Sequence, residues 1–255
     1  MARNDYQEPE QTPLISNRMA LGIIAALALM AAVTLAISFG GSRLGSKLAL
    51  AGHTDNREEF LIGIGQDQLR LPANTIRFSE QRHSGASERI DLYLTWPEMQ
   101  GYSKGQKKRF DAPRSDDGLI FVQLSQSTMS RDMSGRLEPI YSRLFDGGAL
   151  PGPYGLTAHH FRADSGYGDE IILTAPNAGG DDYAVRCLMP GNAASEKQTS
   201  EAAANSASCQ RDIRAGQDLT ILYRFSPALL RDWVHIDAAI ARFVRERVVT
   251  RKTAG

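Results

Sequence analysis

The chain runs to 255 residues and sets 29 lysines and arginines against 29 aspartates and glutamates. That balance excludes the basic excess with which phosphate-dominated nucleic-acid binding is built. A content of 42% hydrophobic and 23% charged residues lies in the range of folded proteins and supplies enough apolar surface for a real core.

Residues 1–18 are polar, hold Pro9 and Pro13, and set Asp5, Glu8 and Glu10 against Arg3 and Arg18. They are expected to form a short disordered cytoplasmic tail. Met19 to Phe39 then runs without a charge, its most polar members being Thr34 and Ser38. At ~1.5 Å of rise per residue, roughly 20 helical residues cross the ~30 Å hydrocarbon core of a bilayer. Residues 19–39 are therefore expected to be a single transmembrane helix, since a buried core helix of that length would show a polar stripe. A retained anchor is favoured over a cleaved signal peptide. The preceding tail is not basic, and the apolar run exceeds the ~7–15 residues of a signal h-region. The small-residue site Ala49-Leu50-Ala51 before Gly52 lies well past the run. Arg3 and Arg18 before the helix balance Arg43 and Lys47 after it, so positive charge does not set the orientation.

Residues 40–58 read as a linker and residues 59–255 as one folded domain. Phe60 to Gly65, a polar turn at Gln66-Asp67-Gln68 and the alternating Leu69-Arg70-Leu71 predict a hairpin that Pro72 ends, with a further element starting in Ala73 to Phe78. In Arg89 to Trp96, the residues Ile90, Leu92, Leu94 and Trp96 share one face and Asp91, Tyr93 and Thr95 the other, the pattern of a half-buried strand that Pro97 stops. Gly101 to Pro113, with Lys104, Lys107, Lys108 and Arg109, reads as a basic loop between strands. Gly118 to Ser125 is a strand, and Ser134 to Phe145 has the apolar spacing of a helix with Pro139 in its first turn. Gly147 to Gly155 reads as a glycine- and proline-rich connector without the lysine of a phosphate cradle. Strands are expected at 156–162, 169–174, 183–188, 209–214 and 218–225.

Ser226 and Pro227 then start a long amphipathic helix whose apolar face carries Leu229, Trp233, Ile236, Ile240, Phe243, Val244 and Val248. Arg242, Arg245 and Arg247 lie near its C-terminus, where cations suit the helix dipole. Its Trp–Phe stripe is expected to pack on the protein's own sheet. The fold class is α+β: a mainly antiparallel β domain covered by two helices.

The two cysteines, Cys187 and Cys209, flank a stretch without aromatic or large aliphatic residues over 190–208. A disulfide between them would close a flexible loop at 189–208 and contribute about 3 kcal/mol in the chain-entropy model. A minimal, even cysteine count suits an oxidising compartment. The domain is accordingly expected in the periplasm, tethered to the bacterial inner membrane.

His159 and His160 are adjacent on a strand and point to opposite faces, which is poor geometry for one metal. Either is a candidate general base, with Asp164, Asp169 or Glu170 as an orienting carboxylate. The chain has no nucleophile elbow, zinc-protease helix, EF-hand loop, Walker sequence or dinucleotide fingerprint. Asp181-Asp182 reads as a turn. No catalytic residue, metal or cofactor is expected. The leading functional expectation is a non-enzymatic interaction module that binds another envelope protein. A periplasmic hydrolase around His159 and His160, and a ligand-sensing domain that signals through a partner, stay open as alternatives.

Overall fold

Alternating apolar residues close the first hairpin. Strands β1 (Glu59–Ile64) and β2 (Asp67–Pro72) pair antiparallel, with Ile64 opposite Asp67. The turn is therefore Gly65-Gln66, tighter than the polar triplet the sequence suggests. The computed structural model describes residues 18, 21, 22, 24–35, 52–111, 118–177, 179–189 and 208–249. The chain divides into two units, Met1–Ala51 and Gly52–Gly255.

In the first unit, α1 (residues 24–35) is helical with exposed side chains, and Thr34 Oγ1 donates to the Met30 carbonyl at 2.8 Å. Among the described residues no helix is long and apolar enough to cross a membrane. Residues 19, 20, 23 and 36–39 of the expected anchor, residues 1–17 of the tail and 40–51 of the linker lie outside the described residues.

The second unit is α+β and mainly antiparallel. After the short β3 (Gly85–Ala86) come β4 (Arg89–Thr95), β5 (Leu119–Gln126), β6 (Phe145–Pro151), β7 (Thr157–Phe161), β8 (Glu170–Ala175), β9 (Tyr183–Leu188), β10 (Ser208–Ala215) and β11 (Leu219–Phe225). The hairpin and β3 form a small sheet of order β2-β1-β3, and the rest form one eight-stranded sheet of order β4-β5-β11-β10-β9-β8-β7-β6. A five-residue helix α2 (Lys107–Asp111) and the thirteen-residue α3 (Trp233–Arg245) complete the unit.

One face of the large sheet makes the main core. Leu92 and Leu94 of β4, Val122 of β5 and Ile221 of β11 pack with Ile62 and Leu69 of the hairpin and with Ile236, Ile240 and Phe243 of α3. Each such side chain contributes about 1.5–3 kcal/mol of burial. The Trp–Phe stripe thus packs on its own sheet, as expected. Ser226 Oγ accepts from the Ala228 amide at 3.2 Å and Pro227 occupies the first position, but the first turns, Pro227–Asp232, are 3₁₀ rather than α. Beyond α3 the chain adds to the hairpin edge, with the Arg70 amide donating to Arg247 O and the Val249 amide to Gln68 O.

Two turns hold the sheets together through exchanged carboxylates. Asp67 accepts from the Gln217 and Asp218 amides at 2.9–3.0 Å, and Asp218 accepts from the Gln66 amide at 3.0 Å. The approach leaves no room for a Cβ. Gly216 (φ +59°) would place one 2.4 Å from Asp67, and Gly65 (φ +55°) one 2.7 Å from Asp218.

The structure corrects four local expectations. Ser134–Phe145 is no helix: turns occupy 133–140, a 3₁₀ turn spans Tyr141–Leu144, and Phe145 already begins β6. Of its apolar residues Tyr141 is buried, meeting Phe161 and Ile172 on the sheet's second face beside Met133, and Leu137, Leu144 and Phe145 are half-buried against them, while Ile140 is exposed. Pro139 lacks an amide, and Arg136 and Ser134 are drawn into long-range bonds that a straight helix would not reach. Only one long helix therefore covers the sheet, where two were expected. The glycine-rich stretch after it is largely edge strand β6, with a register shift between Asp146 and Leu150. The basic loop of Gly101 to Pro113 contains α2, with Tyr102 and Phe110 buried; residues 112 and 113 lie outside the described residues. Finally, Tyr93 and Thr95 are buried although their face was expected outward, because His53 and Phe110 cover Tyr93.

Candidate functional site

Where β4 ends and α3 begins, the chain leaves a cleft of about 780 Å³ lined by Trp96, Pro97, Arg109, Gly118, Leu229, Arg231, Asp232 and His235. The Trp96-Pro97 peptide, which is cis, directly follows β4, and the indole reaches the 3₁₀ turn before α3. There Trp96 Nε1 donates to Asp232 Oδ2 at 3.0 Å. Arg109 of α2 fixes the opposite side: its Nη2 donates to the carbonyls of Trp96 (3.0 Å) and Gly118 (3.3 Å), and its Nη1 lies 3.4 Å from Glu98. Leu229 is buried beneath the floor, whereas Arg231 and His235 stand exposed at the rim. The Arg231 guanidinium reaches only 3.8 Å from Asp232, whose carboxylate already accepts the indole N–H. The cleft is open and pre-formed, with apolar walls and the Arg231 guanidinium at its mouth.

A second polar cluster lies under α3. Strands β9 and β10 pair only over Ser208–Gln210 and then separate. Arg211, 5% exposed, fills the gap. Its Nη1 donates to Ala184 O at 2.7 Å and to Ser134 Oγ at 2.9 Å, while Nε and Nη2 meet the two Asp237 oxygens at 3.0 and 3.1 Å. Tyr223 Oη donates to Asp237 at 2.5 Å. Burial disfavours the Arg211 charge, but Tyr223 and Asp237 more than offset this and hold its pKa above the ordinary value. Burial also raises the Tyr183 and Tyr223 hydroxyls well above theirs. Next to it, Arg136 pairs with the buried Asp212 at 2.6 Å; burial still pushes that carboxyl upward. Every ionised group here has its partner inside the fold, so the cluster acts as a clamp.

A third cluster surrounds His53. Its ring stacks on Tyr102 at 4.9 Å, Nδ1 shares a 3.1 Å hydrogen bond with Tyr93 Oη, and Nε2 lies 3.7 Å from Asp111. Burial lowers the His53 pKa, against the opposing pull of Asp111. Burial also raises Tyr93 to about 12. Carboxylate, imidazole and hydroxyl meet here, yet the hydroxyl is sealed in the core.

The cysteines are joined: Cys187 and Cys209 sit directly opposite on β9 and β10 with their sulfurs bonded. Residues 190–207 of the expected loop lie outside the described residues. His159 and His160 do point to opposite faces of β7. His159 stacks on Phe145 at 4.5 Å and shares a 3.1 Å hydrogen bond with Thr174 Oγ1, burial lowering its pKa. His160 is exposed opposite Asp146. The structure thus gives His159 a hydroxyl and an aromatic partner, while Asp164 pairs with Arg162 and Glu170 with Arg186. Among the described residues no group of three histidine, cysteine or acidic side chains converges as a metal site.

Sequence reasoning missed the cleft and the clamp. Trp96 was visible only as the last inward residue of a strand, and nothing local ties it to Asp232, 136 positions away. The clamp did leave a signal. Arg211 occupies an inward position between Cys209 and Ile213, and Asp237 sits four residues after Trp233 on the apolar helix face. A charge at each of two core-facing positions is the mark of a buried pair.

No protein-family model and no curated protein matches the chain. Two solved structures are similar. One is Smlt3025, an immunity protein of the Stenotrophomonas maltophilia type IV secretion system, with 16% identity over 78% of this chain and 96% of that one and a TM-score of 0.49. The other is the Neisseria meningitidis iron-regulated outer membrane lipoprotein FrpD, with 11% identity over 77% of this chain and 95% of that one and a TM-score of 0.47. At these identities and scores, the likeness bears on neither function nor location.

Proposed function

We propose that the chain is a membrane-tethered, extracytoplasmic module whose folded unit binds another protein of the cell envelope and catalyses no reaction. The carrying observation is the cleft between Trp96 and Leu229, rimmed by Arg109, Arg231 and His235. Tryptophan and arginine are the side chains that dominate binding energy in protein interfaces, where an aromatic wall seats a partner's apolar group and guanidinium groups fix its polar rim. The cleft needs no rearrangement to receive such a group, which lowers the ordering cost of binding. The Cys187–Cys209 bridge supports an oxidising compartment. The uncharged run of residues 19–39 supports a single-pass anchor in the inner membrane, with the folded unit in the periplasm. The neighbourhoods of His159 and His53 support packing roles, since one ring is stacked on Phe145 and the other on Tyr102.

In-cell crosslinking of the tagged full-length chain with a lysine-reactive reagent, followed by mass spectrometry, tests this reading. Reproducible capture of one envelope protein is expected, and the capture disappears when residues 52–255 are deleted and 1–51 kept. Turnover of an envelope substrate by the purified chain, with no protein captured, overturns it.

A further inference from the structure

The apolar face of α3 is spent on the core, and its opposite face is not neutral. His235, Ala238, Arg242 and Arg245 follow one another at spacings of three and four residues, so they form one row, and all are exposed. Arg231, in the turn before the helix, extends the row to the cleft, which His235 also lines. The row is about 20 Å long at helical rise. Among the described residues neither Arg242 nor Arg245 makes an ion pair, and only the 3.8 Å contact to Asp232 touches Arg231.

Neither composition nor helix stability accounts for this row. The chain's charges balance at 29 of each sign, so a run of cations is a local feature. Arg242 and Arg245 do complement the C-terminal end of the helix dipole. Arg231 stands at the opposite end, where positive charge opposes the dipole and costs stability. Three exposed arginines along one face, one of them at the end where the dipole does not account for it, are arranged for something outside the molecule.

Resting on the reading of the cleft as a protein-binding site, we infer that the exposed face of α3 and the cleft form one docking surface for an acidic segment of the partner protein. Its carboxylates lie along Arg231, Arg242 and Arg245, and one apolar side chain enters beside Trp96. A recessed cleft at the end of a single row of cations fits a polypeptide better than a bilayer surface, whose headgroups present a plane that cannot enter it.

The test places a photocrosslinking amino acid at Ala238 and, separately, at His235 in the full-length chain in its native cells, and sequences the crosslinked peptides. Both positions are expected to trap one partner, through a segment rich in aspartate and glutamate. The yield is expected to fall about tenfold in the double variant Arg242→Glu/Arg245→Glu, and to return when the matching partner acids are changed to lysine. An unchanged circular dichroism spectrum and a cooperative urea transition establish that the double variant is folded. Adducts with phospholipid, or with a neutral or basic segment, overturn the inference. If positions 235 and 238 trap nothing while the lysine-reactive reagent still captures an envelope protein, this surface is wrong and the binding module stands. If neither approach captures a protein, the reading of the whole unit falls with it.

Discussion

Two sets of cations belong to the two sides of α3, and they obey opposite rules. Beneath the helix, Arg211 gives its donors to Asp237, Ser134 and Ala184 O. On the outside, Arg242 and Arg245 are exposed and make no ion pair among the described residues. A buried guanidinium must be paired, because an uncompensated charge in the interior costs several kcal/mol. An exposed one is under no such obligation, since water solvates it. The first set tells how the sheet is held closed where β9 and β10 part, and the second is free to serve a partner.

The sharpest way to break this division is to treat both sets alike. Asp237→Ala strips Arg211 of two acceptor contacts and Tyr223 of its acceptor, and leaves the guanidinium buried. We expect a loss of about 3–5 kcal/mol in urea unfolding. Arg242→Glu/Arg245→Glu in the same assay, which sets two acids at the negative end of the helix dipole, should cost no more than about 1–2 kcal/mol. Equal losses would mean that the outer row is structural as well. Next in size is the disulfide beside the gap. Cys187→Ser/Cys209→Ser reopens a loop of sequence separation 22, and about 3 kcal/mol should be lost under oxidising conditions. Wild type treated with reductant should match the variant. Smaller still is the turn clasp. Asp67→Ala leaves the Gln217 and Asp218 amides without their acceptor, and about 2 kcal/mol should go, again by urea midpoint.

The same division explains what the sequence disclosed. Features with a local period were legible. Strand β9 was expected at 183–188 and spans Tyr183–Leu188, and the apolar stripe of α3 buries as its spacing implies. The cysteine pair was legible because only two thiols exist. What failed depended on distant partners. The helix expected at Ser134 to Phe145 had the right spacing, but Arg136 reaches Asp212 and Ser134 receives Arg211, contacts separated by 76 and 77 positions. Tyr93 was placed outward because the residues that cover it, His53 and Phe110, lie in stretches read as linker and loop. The cleft follows the same logic: one side comes from the end of β4 and from α2 and the other from the start of α3, more than 100 positions later in the chain. The outer row of α3 was half visible, in Arg242 and Arg245, and the helix dipole gave those two a sufficient local explanation. Arg231, at the end where that explanation reverses sign, carries the information.

The smallest expected effect sharpens the comparison by adding a buried group that titrates near neutrality. His53 fastens the start of the folded unit onto Tyr93 and Tyr102, and burial holds its pKa below 6.5 even though Asp111 pulls the other way and Arg82, Arg77 and Lys107 add to the lowering. The folded state therefore binds this proton less readily than the unfolded chain. The stabilisation is fully present above the unfolded value of about 6.5, and it is lost progressively as pH falls below that value towards the folded pKa. Urea midpoints measured from about pH 7.5 down to about pH 5 should fall in wild type more than in His53→Phe, which keeps an aromatic ring against Tyr102 and removes the titration. The difference between the two curves isolates His53 from other groups, such as His159, whose pKa burial also lowers. Parallel curves would show that His53 is solvated in solution and does not fasten residues 52–58. A charge on the inside of this fold has to register in stability when it changes, whereas the charges on α3's outer row should register chiefly in binding.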